Sequence, residues 1–273
     1  MRNAMSAGIA IIVAMVPMLA LPPPVLTQSN TPLEPSRQSK PDISGIWEPA
    51  RGRRAGYENP GRGLTSEEVP MTPWAAEKYK LIRQGPKRNA FDRGNENWDP
   101  SYHHCMPFGP TRPYTNDQLF EIRQFGDDLV YILFTSDHEV RRVYLDGRPH
   151  PSGWPFGWMG HSIGKWDGDT LVVDTVGLND ITWIDTMGRP HSDQLHIVER
   201  IRRVEHDTLQ IDFTFEDPKA YTKPWAGKRV FQLVTGSGAE ILEDILCEEH
   251  LMLDHLPYSS RGELEPWDGV SKK

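Results

Sequence analysis

From Gln118 to Cys247 apolar and polar residues trade places about every second position, the period of a β-strand and not of a helix. In TLQIDFTFE (208–216) the alternation is clean: Leu209, Ile211, Phe213 and Phe215 point one way and the polar residues the other. Comparable runs are LFEIRQF (119–125), LVYILFTS (129–136), EVRRVYLD (139–146), WMGHSIGKW (158–166) and TLVVDTVG (170–177). DQLHIVERIRRV (193–204), KRVFQLVT (228–235) and AEILEDILC (239–247) continue the series, and DISGIWE (42–48) opens it. Short turn signals separate many of them: Gly126-Asp127-Asp128, Asp167-Gly168-Asp169, Glu205-His206-Asp207 and Gly236-Ser237-Gly238. The pattern predicts an all-β fold, an antiparallel up-and-down barrel of about ten strands. Closure of that kind leaves no unpaired edge, and a two-sheet sandwich is the alternative. One short helix is predicted near residues 72–84, with Thr72 as N-cap, Pro73 in the first turn and Gly85-Pro86 as the stop. Its Trp74, Tyr79 and Leu81 are expected to pack on the barrel.

Composition fits that picture and adds a compartment. Nine Trp, nine Phe and eight Tyr supply bulky burial although only 37% of residues are hydrophobic. The net charge of −8 and the lack of any basic run argue against a nucleic-acid partner. Residues 1–26 read as a secretory signal peptide: Arg2, an apolar stretch from Ala7 to Leu21, and a cut expected after Ala20. Pro17 and Pro22–Pro24 oppose a spanning helix, so no stable membrane span is expected once the signal is removed. Residues 27–41 are polar and Pro-rich, a flexible linker; 42–250 form a single β-barrel domain, and 251–273 a C-terminal tail. A periplasmic or secreted location makes Cys105 and Cys247 an expected disulfide, metal or thiol chemistry being the other reading of Cys105 beside His103 and His104.

Ionisable groups crowd into 158–203, where strands leave one face for a core. His161 and Asp174 flank the 167–169 turn, which sets residue 161 opposite roughly 174–175 and makes an imidazole–carboxylate pair possible. Glu199 shares a strand face with Leu195, Ile197 and Ile201. It is either an acid or base inside the barrel or half of a structural pair with Arg123 or Arg141. His196 falls on the opposite face. The 178–193 loop, with Trp183, Asp185 and His191, is read as a mouth loop whose Trp covers a cavity, or as a set of turn and capping groups. The candidate catalytic residues are thus His161, Asp174 and Glu199, and the candidate ligand contacts are Trp158, Trp183, Asp185, His191 and His196. His161 and Ser162 are adjacent on a strand, so they face opposite sides and do not make a Ser–His dyad. There is no G-x-S-x-G, no P-loop, no dinucleotide fingerprint and no compact metal-ligand spacing. No cofactor and no metal are expected.

The start Gly45-x-Trp47 resembles that of lipocalin-type barrels. Most of the expected mature chain also resembles a functionally unassigned family of secreted bacterial proteins. The phrases that carry this are TPWA (72–75), C-x-P-x-G-x-x-R (105–112), Y-x-DGR-x-x-P (144–151) and WMGHS-x-GKW-x-GDTLVVDT-x-G (158–177). ND-x-TW-x-D (179–185), G-x-PHSD-x-LH-x-x-ER-x-RR (188–203) and DPKAYTKPW (217–225) complete the set. The chain departs from the pattern at Pro110-Thr111-Arg112, where Pro-Arg is expected. The resemblance implies one integrated domain with a shared pocket and no particular reaction. These features together predict a secreted lipocalin-like barrel that binds a small, largely apolar ligand in its lumen. The alternative is a cofactor-independent isomerase, lyase or hydrolase with a His–Asp/Glu acid–base pair in the same cavity.

Overall fold

Alternation decides which side of each strand faces inward. In β10 (Thr208–Glu216) Leu209, Ile211, Phe213 and Phe215 are buried, while Thr214 and Glu216 are exposed. Each such apolar side chain contributes roughly 1.5–3 kcal/mol when taken out of water. The computed structural model describes residues 41–84, 99–101, 105–116, 118–153 and 157–236. The expected strand at 239–247, Cys247, His103, His104, the signal peptide, the tail and all of the linker but Pro41 lie outside the described residues.

Nine strands close into a barrel: β1 (Gly45–Pro49), β4 (Phe120–Phe125), β5 (Leu129–Phe134), β6 (Val140–Tyr144), β7 (His161–Asp167), β8 (Thr170–Val176), β9 (His196–Glu205), β10 and β11 (Trp225–Leu233). Going round the wall, β1 pairs with β11, then come β10, β9, β8, β7, β6, β5 and β4, which pairs back onto β1. β2 (Arg53–Arg54) and β3 (Tyr57–Glu58) form a separate two-stranded ribbon.

The hairpins at Gly126–Asp128, Gly168–Asp169 and His206–Asp207 form as predicted. The purely antiparallel meander does not: β6 and β7 run parallel, with Val143 beside Ser162 and Tyr144 beside Ile163. Two facts explain the difference. An odd number of alternating strands cannot close without one like-oriented pair. Residues 145–160 also provide the long crossover that a parallel pair requires. The predicted turn at Gly236–Gly238 is only partly within the described residues.

The β4–β5, β7–β8 and β9–β10 hairpin turns lie at one end of the barrel; the other carries the short Ser136–His138 turn and the long connections 50–119, 177–195 and 217–224. This second end holds α1 (Pro73–Gln84), capped by Thr72, whose hydroxyl accepts from the Ala75 amide at 3.3 Å. The helix does not dock as expected. Trp74 and Leu81 are exposed, whereas Ala75 is fully buried and Tyr79 and Ile82 are half-buried. The stripe 75/79/82 follows the i, i+4, i+7 spacing, and the small Ala75 side chain lets the helix lie close.

From the same end a short 3₁₀ turn (Arg112–Thr115) pushes Tyr114 into the barrel. Its ring meets Phe120 at 5.0 Å, Phe134 at 5.2 Å, Phe231 at 5.7 Å and Phe213 at 5.8 Å. The first two contacts are edge-to-face, a favourable geometry for aromatic quadrupoles. At this level the barrel interior is filled by side chains.

Candidate functional site

The inner wall holds a polar cluster beneath the Tyr114 plug. Ser162, Thr175 and Glu199 all take inward positions on their strands, beside inward Arg141 of β6. Arg141 grips Glu199 with both terminal nitrogens, Nη1 to Oε1 being 3.0 Å. Its Nε donates to Ser162 Oγ at 3.0 Å and its Nη2 to Thr175 Oγ1 at 2.7 Å, and the two hydroxyls are 2.9 Å apart. Burial works to lower the Arg141 pKa, but the Glu199 charge and its hydrogen bonds reverse this, and the net shift is upward. Tyr114 is pushed up by burial and by Glu199, and Arg141 offsets this only in part, so its phenol stays neutral. Of the two readings of Glu199, the structure places it in an ion pair with Arg141.

The 178–193 loop is tied into the body of the protein. Asp185 is fully buried and accepts from the amides of Leu64 (3.2 Å) and Met187 (3.1 Å) as well as from Arg189. Arg189 in turn donates to the Thr65 carbonyl at 3.1 Å. Thr111 donates to Ile184 O at 2.7 Å, and Thr115 and Thr186 share a 2.7 Å bond, so the loop clamps the turn that carries Tyr114. His191 is buried between the Thr182 hydroxyl (2.8 Å) and the Ser192 carbonyl (2.9 Å). Burial lowers its pKa, which keeps the ring neutral: Nδ1–H donates to the carbonyl and Nε2 accepts from Thr182. Trp183 is half-buried and stacks on Arg112, whose guanidinium carbon is 4.7 Å from its ring and 4.9 Å from that of Phe108. Arg112 also pairs with Asp99, Nη1 to Oδ1 at 2.8 Å. Trp158 is half-buried just ahead of β7.

The outer wall carries a second arrangement. His161 pairs in register with Val176, and Asp174 with Ile163, one position from the expected pairing. His161 and Asp174 therefore share the outward face, and His150 from the crossover bridges them. His150 Nδ1 lies 2.8 Å from His161 Nδ1, and His150 Nε2 lies 3.0 Å from Asp174 Oδ1. The same Asp174 oxygen meets His196 Nε2 at 3.0 Å, and His196 Nδ1 lies 3.5 Å from Glu216. When both rings of the first pair are neutral, the proton order is fixed. The carboxylate only accepts, so His150 donates from Nε2 and accepts at Nδ1, and His161 donates from Nδ1. Burial lowers the His161 pKa, helped by His150 and Arg148, and its ring stacks on Tyr144 with centroids 5.5 Å apart.

Next to this chain, where β6 ends and its neighbour β7 continues, the wall opens into a cavity of about 380 Å³. Tyr144, Arg148, Ile163, Lys165, Val172 and Asp174 are among the residues that line it. Arg148 stacks on the Tyr144 ring at 4.0 Å and holds Asp146 through Nε at 2.8 and 2.9 Å. Among the described residues no group of three or more His, Cys, Asp or Glu is arranged to hold a metal ion.

The candidate residues thus divide among three places. Glu199 faces inward; His161, Asp174 and His196 face outward; Asp185 and His191 are engaged within the loop. His161 and Glu199 lie on opposite sides of the wall, so one cavity shared by all of them does not form. Arg141 was readable beforehand as a partner for Glu199. His150, Tyr144, Arg148 and Lys165 are not among the expected site residues: they lie on or between the predicted strands 139–146 and 158–166, and only the parallel β6–β7 seam makes them neighbours. No protein-family model matches the chain, and no curated protein matches it. Fold and geometry define a closed, mixed-direction β-barrel with a plugged end and a cavity in its wall.

Proposed function

We propose that this chain is an exported β-barrel that binds a small, largely apolar ligand. The observation that carries this reading is the cavity of about 380 Å³ at the β6–β7–β8 seam, a volume within the range of small-molecule sites, roughly 300–1,000 Å³. Apolar Ile163 and Val172, with Tyr144 and a few convergent polar groups beside them, suit such a ligand. The expected site in the lumen moves to the wall because aromatic rings fill the interior at the level of Tyr114. Native mass spectrometry of protein recovered from its own compartment tests the proposal. The native chain is expected to carry a bound small molecule, and Val172→Trp, which fills the cavity, to lose it. Retention of the same molecule by the Trp variant overturns the assignment.

A second reading is a cofactor-independent isomerase, lyase or hydrolase, and the Asp174–His150–His161 chain beside the cavity favours it. A carboxylate that orients one ring, which orients the next, is the arrangement that prepares a general base, and His161 is held neutral by burial. Incubation with a metabolite extract separates the readings. A compound consumed by the native chain and spared by His161→Ala supports catalysis, and no consumption sinks it.

Export, membership of the secreted bacterial family and the Cys105–Cys247 bridge belong to the same proposal. They are supported by the signal-like start, by the motif set, and by the finding that no cysteine among the described residues is free.

A further inference from the structure

The groups that line the seam cavity differ in how far the protein already uses them. Arg148 is committed twice, to Asp146 through its Nε and to the Tyr144 ring beneath it. Asp174 gives one carboxylate oxygen to two histidines, at 3.0 Å each. Lys165 has no such commitment: it is exposed and makes neither an ion pair nor a side-chain hydrogen bond among the described residues.

The strand register places these groups in order. On the outward face Lys165 stands opposite Val172, and Ile163 opposite Asp174. Residues two apart on a strand are about 7 Å apart. The cavity floor therefore runs from a cation, over two branched apolar side chains, to a carboxylate that already has partners. The Tyr144 ring forms the side wall.

We propose that the seam cavity takes a small carboxylate with an apolar or aromatic body. The anion sits at Lys165, the body lies across Ile163 and Val172 beside Tyr144, and the Asp174 end excludes a second negative charge. This inference rests on the reading that the cavity is a binding site and adds the ligand class to it. The exposed Lys165 ammonium borders the apolar Ile163 and Val172 and has no protein counter-charge among the described residues. A carboxylate meets it with a charge-assisted hydrogen bond, while the aliphatic stem of Lys165 extends the apolar surface that holds the body.

The test is an amide NMR titration of the full chain with three probes of one shape: 3-phenylpropanoate, its neutral amide, and 3-phenylpropylamine. The expected result is that the carboxylate binds most tightly and shifts the amides of Ile163–Lys165 and Val172–Asp174. Lys165→Gln is expected to weaken the carboxylate ~3-fold or more, the scale of an exposed charge pair, and to leave the neutral amide unchanged. Lys80→Gln, on α1 away from the seam, should change neither. Lys165 is exposed, so its substitution spares the fold. Equal affinity for acid and amide at the seam, or no effect of Lys165→Gln on their ratio, overturns the ligand class and leaves a binding cavity standing. No shift at the seam with any of the three probes overturns both.

Discussion

Buried charge in this protein is found as pairs, and the pairs set what each residue is worth. Arg141 and Glu199 are almost wholly out of water, and each satisfies the other. Glu199→Gln leaves the guanidinium buried without its counter-charge, and the expected cost is about 3–5 kcal/mol in urea unfolding. The double change Arg141→Met with Glu199→Met should recover most of that loss, since well-packed apolar side chains often replace a buried pair without penalty. A loss under about 1 kcal/mol in the single variant would contradict a buried pair. His191 carries a pH prediction. Its pKa is lowered in the folded protein, so between the unfolded value near 6.5 and the lower folded one the unfolded chain binds the extra proton. Stability is then complete above about pH 6.5 and falls as the pH drops below it, with a slope of up to about 1.4 kcal/mol per pH unit from this residue. His191→Asn, which retains one donor and one acceptor, should flatten the slope. An unchanged slope in chemical denaturation across pH 5–7 would refute the assignment.

Among the elements, the entry to β7 uses a left-handed backbone that favours glycine. Gly160, just before β7, has φ of +62°, and a Cβ there would stand 2.6 Å from the Val176 carbonyl oxygen. Gly168, in the β7–β8 hairpin, has the same φ of +62° with nothing within 4 Å. Alanine at both positions meets the same left-handed cost, roughly 1–2 kcal/mol, but only at Gly160 must strand β8 also move. Urea unfolding should therefore show Gly160→Ala losing clearly more than Gly168→Ala. Equal losses would mean that the seam tolerates the shift. Much at this scale was legible beforehand: the strand runs, the hairpin turns and the helix follow from local periodicity and turn chemistry. The parallel pair was not, because direction across a crossover depends on how many strands the barrel closes with.

In the whole molecule, long connections at one end of the barrel hold the Tyr114 plug in place, and three hairpin turns lie at the opposite end. Among the described residues no helix is long and apolar enough to cross a membrane. If the chain is exported as proposed, non-reducing peptide mapping of the mature protein should recover Cys105 linked to Cys247. Two alkylatable thiols would remove that bridge and weaken the case for an oxidising compartment.

Periodicity by itself determined the class of fold, the inward face of most strands, and the opposite facing of His161 and Ser162, because each rests on spacing within a few residues. It also narrowed Glu199 to two fates, since a carboxylate among apolar neighbours needs a cation. Tertiary structure alone decided which cation, which side of the wall the His161–Asp174 pair faces, and that His150 stands between them. These depend on residues far apart in the chain that meet only when nine strands close with one pair parallel. The candidate site formed at that seam, where the local pattern predicted only two ordinary strands.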